Sequence, residues 1–391
     1  MKPRMTRMNT DINKTEVASI YGRIREILES AKSAVARSVN TTQVMTNWLI
    51  GREIVEEEQK GEARADYGEG LIRNLTAQLQ VDYGAGYSLA NVKYFRKFYL
   101  EYPQLAGGEK GYALRSLLPV RSKKQHAVHV ESWAPGQLHS NLSWTHYRTL
   151  LRVDKPEARA FYEIEAIQNN WSARELERQI CSLLYERLAL SRDKKGLMRL
   201  ATKGHEIQKP ADIFKDPVVM EFLGLPESPK LVESELETAL INNLQSFLLE
   251  LGKGFAFVAR QERLTLDGDH FYIDLVFYHT ILKCYVIIDL KTGKLTHQDL
   301  GQLQLYVNYY DREKRTAGDN PTLGLILCAD KNDAVVRYTL GEDQQKIFAS
   351  RYKLFVPTVA ELRAEINREV KLLRTPSASP RLRVRKSEVP S

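Results

Sequence analysis

Residues 271–306, FYIDLVFYHTILKCYVIIDLKTGKLTHQDLGQLQLY, restrict the fold more than any other stretch of this chain. Phe271–Tyr278 reads as a strand carrying one carboxylate, Asp274, among aromatic and β-branched neighbours. After a short break comes a second strand, Lys283–Leu290, with Tyr285 and Ile287 on one face and Val286, Ile288 and Leu290 on the other. A strand that is apolar on both faces belongs in the middle of a sheet. It runs into Asp289-Leu290-Lys291, and because side chains two apart on a strand point the same way, Asp289 and Lys291 share a face. A helix then follows, with Gln302 and Tyr306 four residues apart on one side.

If Tyr278 pairs with Tyr285 across the turn, Asp274 lies opposite Asp289. Like charges facing each other across strands are destabilising unless something positive compensates. For an all-oxygen donor set with an open coordination sphere, that something is Mg²⁺ or Mn²⁺ rather than zinc. The order of first-strand acid, Asp-x-Lys and polar helix face therefore points to metal-dependent phosphodiester chemistry. Lys291 would orient or deprotonate the attacking water, or stabilise charge on the pentavalent phosphate.

The surrounding pattern places this core in an α/β domain. A helix is expected over Val232–Leu251 from Leu236, Leu240, Leu244, Phe247 and Leu251, with Gly252 as its stop. Glu237 falls inside that apolar arc, as does Glu233 one turn earlier, whereas Glu235 faces outward. An acid in an apolar stripe costs free energy unless it pairs or ligates. Strands are expected at Phe255–Leu266, Phe271–Tyr278, Lys283–Leu290, Thr322–Ala329 and Ile347–Val356, with a hairpin turn at Asp267-Gly268 and a last helix over Thr358–Leu373. This is a mixed sheet flanked by helices.

The first half has helical periodicity and no strand alternation. Ile20, Ile24, Ile27 and Leu28, then Val44, Trp48, Ile50 and Val55, then Leu71, Ile72, Leu75 and Leu79 keep helical spacing. The glycine-rich turn 81–87 and the N-cap Ser88 lead into a helix over Leu89–Tyr99, the outline of a helix-turn-helix. Leu89, Val92, Phe95 and Tyr99 form its core face. Ala90, Lys93, Tyr94 and Lys97 lie on the other side, flanked by Asn91 and Arg96. Lysines there suit phosphates, and Tyr94 or Asn91 would reach a base edge, although any surface helix with lysines on its wet side reads the same way. His126 and His129 sit in an irregular segment without further ligands, so a solvated loop is the reading there.

The divisions expected are a mostly helical nucleic-acid-binding domain at 15–190, a polar linker at 191–216, an α/β domain at 217–373 and a basic tail at 374–391. A hydrophobic share of 43% and a charged share of 27% are those of an ordinary soluble chain. No apolar run reaches the roughly 18 residues of a membrane span. Three scattered cysteines argue against a disulfide framework and against a thiolate metal site. The chain reads as cytoplasmic, and its net charge of +8 favours a polyanionic partner. Cutting both strands of a duplex would favour a homodimer.

Residues 232–310 resemble the PD-(D/E)XK nuclease core, with Glu237 at the helix acid, Asp274 at the first strand acid and Asp289 and Lys291 as the (D/E)XK pair. Gln302 and Tyr306 match the Gln-x-x-x-Tyr helix of the RecB-like branch. The stretches ESELETALINNLQSFLLELGKGFAF, LTLDGDHFYIDLVFYH and VIIDLKTGKLTHQDLGQLQLYVNYYDRE resemble the bacterial YhcG-type family more closely, as do SWTHYRTLLRV and QNNWSARELERQI. Ile273 stands where the superfamily pattern has proline. The resemblance implies an N-terminal winged-helix-like domain and a nuclease domain hydrolysing DNA with Mg²⁺ (Mn²⁺ as the alternative), RNA remaining open. Asp274, Asp289 and Glu237 would hold the metal, with Glu233 as the other choice of helix acid. Gln302 and Tyr306 would position the phosphate or hold Lys291.

Overall fold

The structure is a computed structural model that describes residues 38–59, 65–105, 133–190, 194–226, 228, 231–340, 346–358 and 360–362. The expected helical positions Ile20 to Leu28, the loop histidines His126 and His129, the end of the last helix and the tail 374–391 lie outside the described residues. The chain divides into two compact units, Met1–Ile180 with Lys194–Glu206, and Cys181–Asp193 with Ile207–Ser391.

The first unit is helical, with no strand among its described residues, so the wing implied by the resemblance is not seen there. Its helices are α1 (38–59), α2 (Ala65–Tyr83), α3 (Leu89–Glu101), α4 (Trp144–Leu150), α5 (Pro156–Gln168) and α6 (Ala173–Cys181). Ser88 caps α3 by accepting from the Asn91 N–H, as its sequence position suggested. Val92, Phe95 and Phe98 are the buried residues of α3. Leu89, expected in the core, is 37% exposed because it sits in the first turn, before the helix meets its neighbours. Phe98 instead packs against Trp144 and Tyr147 at ring distances of 5.4 and 5.0 Å. Helices α1 and α3 approach so closely that a Cβ at Gly51 would overlap the Phe95 carbonyl. The expected linker contains a helix, α8 (Lys194–Lys203), which packs on α5 and follows α7 (Leu184–Leu190) of the second unit.

The second unit is built on a six-stranded sheet of order β1-β6-β5-β4-β3-β2. Its strands are β1 (Val218–Val219), β2 (Phe255–Leu266), β3 (Asp269–His279), β4 (Cys284–Lys294), β5 (Leu323–Asp330) and β6 (Ile347–Lys353). β3 runs antiparallel to both β2 and β4, while β4, β5, β6 and β1 run parallel. β4 is thus central, as its two apolar faces required. The hairpin turn is at Asp267-Gly268, both with positive φ, 47° and 95°, which suits the right-handed twist of the strands it joins.

Two apolar layers cover the sheet. On one face Leu236, Leu240, Phe247 and Leu251 pack against Leu275, Phe277, Val286 and Ile288. On the other, Leu300, Leu303, Tyr306 and Val307 pack against Val276, Ile287 and Ile326. Each such side chain contributes about 1.5–3 kcal/mol on full burial. The helix expected over Val232–Leu251 is two helices, α9 (Glu233–Asn242) and α10 (Leu244–Leu251). Asn243 leaves helical geometry at φ −116°, ψ 31°, and its side-chain amide donates to the Ala239 carbonyl at 3.0 Å. Asparagine competes for backbone groups in this way, and here it turns the chain over the sheet. α11 (His297–Tyr309) starts at Thr296, whose hydroxyl accepts from the Asp299 N–H, and α12 (Asp333–Leu340) follows β5.

Candidate active site

The register pairs Tyr278 with Tyr285, as supposed above, and the backbone ladder between β3 and β4 runs to Leu275 and Ile288. One step further, in place of a backbone pair, the Asp274 carboxylate takes the ladder's role: its Oδ2 accepts the Leu290 N–H at 2.8 Å. Strand alternation also breaks here. Ile273 and Val276, three apart, both pack in the α11 layer, while Leu275 and Phe277 lie in the other. Asp274 stands at that change of phase.

Asp289 is 2% exposed, and burial pushes its carboxyl up to about 7, aided by the nearby Asp274 charge and opposed by Lys291. Lys291 Nζ lies 3.1 Å from Asp289 Oδ2 and 3.4 Å from Glu233 Oε2. The contact to Asp289 is a close ion pair, and Lys291 is the cation that faces this buried carboxylate. Burial opposes the charge on Lys291, but Asp289, Glu233 and Asp274 outweigh it and hold the ammonium above its ordinary value. The opposite sense of the Asp289 shift reflects its deeper burial, which one lysine does not offset.

Glu237 enters from α9 and is 7% exposed, with its carboxyl raised by burial. Its Oε2 accepts the Gln261 side-chain amide at 2.6 Å, and the same nitrogen reaches Asp274 Oδ1 at 3.0 Å. Burial raises Asp274 as well, against the donors Leu290 and Gln261 and the charge of Lys291. Both helix acids thus join the cluster, Glu237 through Gln261 and Glu233 through Lys291. On α11 Gln302 donates to the Tyr306 hydroxyl at 2.5 Å, and Tyr306 donates to the Tyr272 carbonyl at 3.1 Å. That bond ties α11 to β3 two residues before Asp274. Gln261 is the residue that sequence reasoning missed. It carries no motif, and only its left-handed backbone, φ 46°, turns its amide toward the acids.

Residues 211–367 match the model of the YhcG PDDEXK nuclease domain, and residues 23–187 that of the DUF1016 N-terminal domain. A protein of Escherichia coli (strain K12) named "Putative nuclease YhcG" is 38% identical over 358 residues, covering 89% of this chain and 93% of its own. The chain belongs to the YhcG family. Among solved structures, a repair endonuclease from Pyrococcus abyssi is 15% identical, with a TM-score of 0.23 over 34% of this chain and 50% of its own. An EndoMS–dsDNA complex is 16% identical, with a TM-score of 0.25 over 34% and 47%.

The acids and Lys291 therefore lie in the PDDEXK domain. Among the described residues no three His, Cys, Asp or Glu side chains close into a metal cage. The donors nevertheless fit a hard divalent cation, because Mg²⁺ commonly uses one or two carboxylates and keeps several waters. The buried carboxylate of Asp289, with the Asp274 charge near it, supplies such a pair.

The five residues expected to touch nucleic acid fall within the DUF1016 match. Lys93 is exposed and Lys97 half-exposed. The Arg148 guanidinium stands 6.0 Å over the Tyr94 ring. Arg96 is held by Glu58 at 2.7 Å, and the Asn91 amide donates to the Gly86 carbonyl at 2.8 Å, so both already serve the fold. Asn91 also lines a groove of about 550 Å³ with Thr42, Thr46, Asn47, Phe95 and Trp144. No described helix is long and apolar enough to cross a membrane.

Proposed function

We propose that this protein is a divalent-cation-dependent nuclease that hydrolyses phosphodiester bonds of DNA. The observation that carries this reading is Asp289, almost fully buried, with the Asp274 carboxylate near it and its Oδ2 ion-paired to the Lys291 ammonium at 3.1 Å. A buried acid beside a second acid is costly, and a cation relieves both. Asp274 and Asp289 would hold Mg²⁺ or Mn²⁺, with Glu237 completing the set. The bound cation would supply Lewis-acid activation of the scissile phosphate and of water.

Lys291, ion-paired to Asp289 at 3.1 Å, would orient or deprotonate the attacking water, or stabilise charge on the phosphate. Tyr306 fixes α11 against β3, and Gln302, which donates to the Tyr306 hydroxyl, would with it position the substrate phosphate. Lys93, Lys97 and the Arg148–Tyr94 pair would engage the backbone of the nucleic acid. Asn91 and Arg96 would support that surface by holding its turn and its helix.

The test is cleavage of plasmid DNA, linear DNA and RNA by the full chain with Mg²⁺ or Mn²⁺, alongside Asp289→Ala and Lys291→Ala. Metal-dependent DNA cleavage lost in both variants supports the proposal. Activity on RNA alone replaces the substrate, and equal activity in all three proteins removes the site.

A further inference from the structure

We infer that Gln261 is a positioning residue that clamps Glu237 to Asp274 and so sets the affinity of this acid cluster for its divalent cation. The inference rests on the proposed cation site and goes beyond it, because no ligand role falls to Gln261 itself.

Three observations carry it. The first is register. Arg260 pairs with Leu275 and Glu262 with Ile273, so Gln261 stands across from Asp274 on the neighbouring strand, where the alternation of β3 breaks. The second is backbone geometry. At φ 46° Gln261 is left-handed, a conformation that costs a non-glycine side chain free energy and persists only where the surroundings require it. Gln261 is exposed, so core packing is not what imposes that conformation. The third is the amide. Its nitrogen has two hydrogens to give, and two carboxylate oxygens lie within reach, Glu237 Oε2 at 2.6 Å and Asp274 Oδ1 at 3.0 Å.

The consequence differs for the two acids. Asp274 keeps the Leu290 N–H when Gln261 is removed. Glu237 accepts its hydrogen bond from Gln261, with Arg260 contributing only charge. Loss of the amide therefore releases Glu237 from Asp274 and disperses the carboxylates. Partners that orient metal ligands are typically worth about 10- to 100-fold in metal affinity.

The experiment is calorimetric titration of Mn²⁺ into the full chain, wild type against Gln261→Met, Gln261→Gly, Glu237→Gln and the Gln261→Met/Glu237→Gln double variant, with Asp289→Ala as control. Both Gln261 variants are expected to bind Mn²⁺ about tenfold more weakly. They should melt no lower than wild type, since Met keeps the side-chain length and Gly suits the left-handed backbone. The double variant should bind no more weakly than Glu237→Gln alone, because the clamp acts through Glu237. Wild-type affinity in Gln261→Gly would mean that only the backbone matters and would overturn the inference, as would a fully additive double variant. If wild type binds no Mn²⁺, or Asp289→Ala binds as tightly as wild type, the cation site itself falls and takes the clamp with it.

Discussion

Asp289 and Lys291, two positions apart on β4, form a 3.1 Å ion pair with side chains only 3% and 16% exposed. The two halves of the pair fail differently, because Lys291 keeps Glu233 and Asp274 as counter-charges when Asp289 is neutralised. Asp289→Asn removes a buried acid whose carboxyl is pushed up by burial, so melting temperature is expected to rise while cleavage is lost. Lys291→Met leaves Asp289 without its counter-charge, so stability and cleavage fall together, cleavage by about 10²–10³-fold. Scanning calorimetry with a plasmid-nicking assay reads both. A lower melting temperature for Asp289→Asn would contradict the account.

The second unit is closed by another pair. Arg187 and Glu250, both 0% exposed, meet at 2.5 Å, and Arg187 also donates to the Pro217 carbonyl at 2.9 Å. Lys215 donates to the Glu250 carbonyl, and the Val219 N–H to Glu250 Oε1 at 3.0 Å. Arg187→Met strands a buried carboxylate and is expected to cost about 3–5 kcal/mol in urea unfolding. A loss below 1 kcal/mol would show that the carboxylate finds other compensation.

Gly324 on β5 sets how closely α11 lies on the sheet. A Cβ there would come within 2.9 Å of the Leu303 side chain and of Val307 Cγ2. Gly324→Ala should cost about 1–3 kcal/mol from overpacking. By lifting α11 it should also loosen the Tyr306–Tyr272 bond and lower kcat more than it raises KM. Unchanged kcat would show that α11 yields without moving Gln302 and Tyr306.

On the first unit, replacing Lys93 and Lys97 by alanine should weaken DNA binding uniformly across sequences. It should also reduce the slope of log affinity against log salt by about 1 for each lysine that meets a phosphate. Fluorescence anisotropy at several salt concentrations measures this, and an unchanged slope would locate binding elsewhere.

Glu163 in α5 gives a pH dependence away from the acid cluster. Burial raises its carboxyl from 4.5 to about 8, against the Gly136 N–H and the charge of Arg159. A carboxyl with a folded value above its unfolded one holds its proton more tightly when folded. Its contribution to stability is therefore complete below about 4.5 and is lost as pH rises through about 8. Wild type should thus lose melting temperature between pH 5 and pH 9 relative to Glu163→Gln. Parallel curves for the two proteins would refute the shift.

Much of the acid cluster was legible before any coordinates. Period-two alternation put Asp289 and Lys291 on one face, and the doubly apolar β4 put them in mid-sheet, where a charge is hard to solvate. The pairing of Tyr278 with Tyr285, supposed from the sequence, is the one the sheet adopts. Other features left no mark in the pattern. Leu89 has the spacing of a core residue but lies in the first turn of its helix and stays 37% exposed. Arg96 looks like a free basic residue until Glu58, 38 positions away in the chain, meets it. The helix break at Asn243 was hidden because Leu236 to Leu251 keep one apolar period through it.

The sequence by itself determined which residue types could do chemistry here and which face of β4 they share, because backbone geometry fixes side-chain direction over a few residues. Only the tertiary structure decided how they meet. It ended the backbone ladder of β3 and β4 one pair short of Asp274 and Asp289, handed the Leu290 N–H to a carboxylate, and brought Glu233 and Glu237 in from α9. It also strained Gln261 so that one amide bridges two acids. Those outcomes depend on where separate elements pack, and no local periodicity encodes the position of a partner that arrives from another part of the chain.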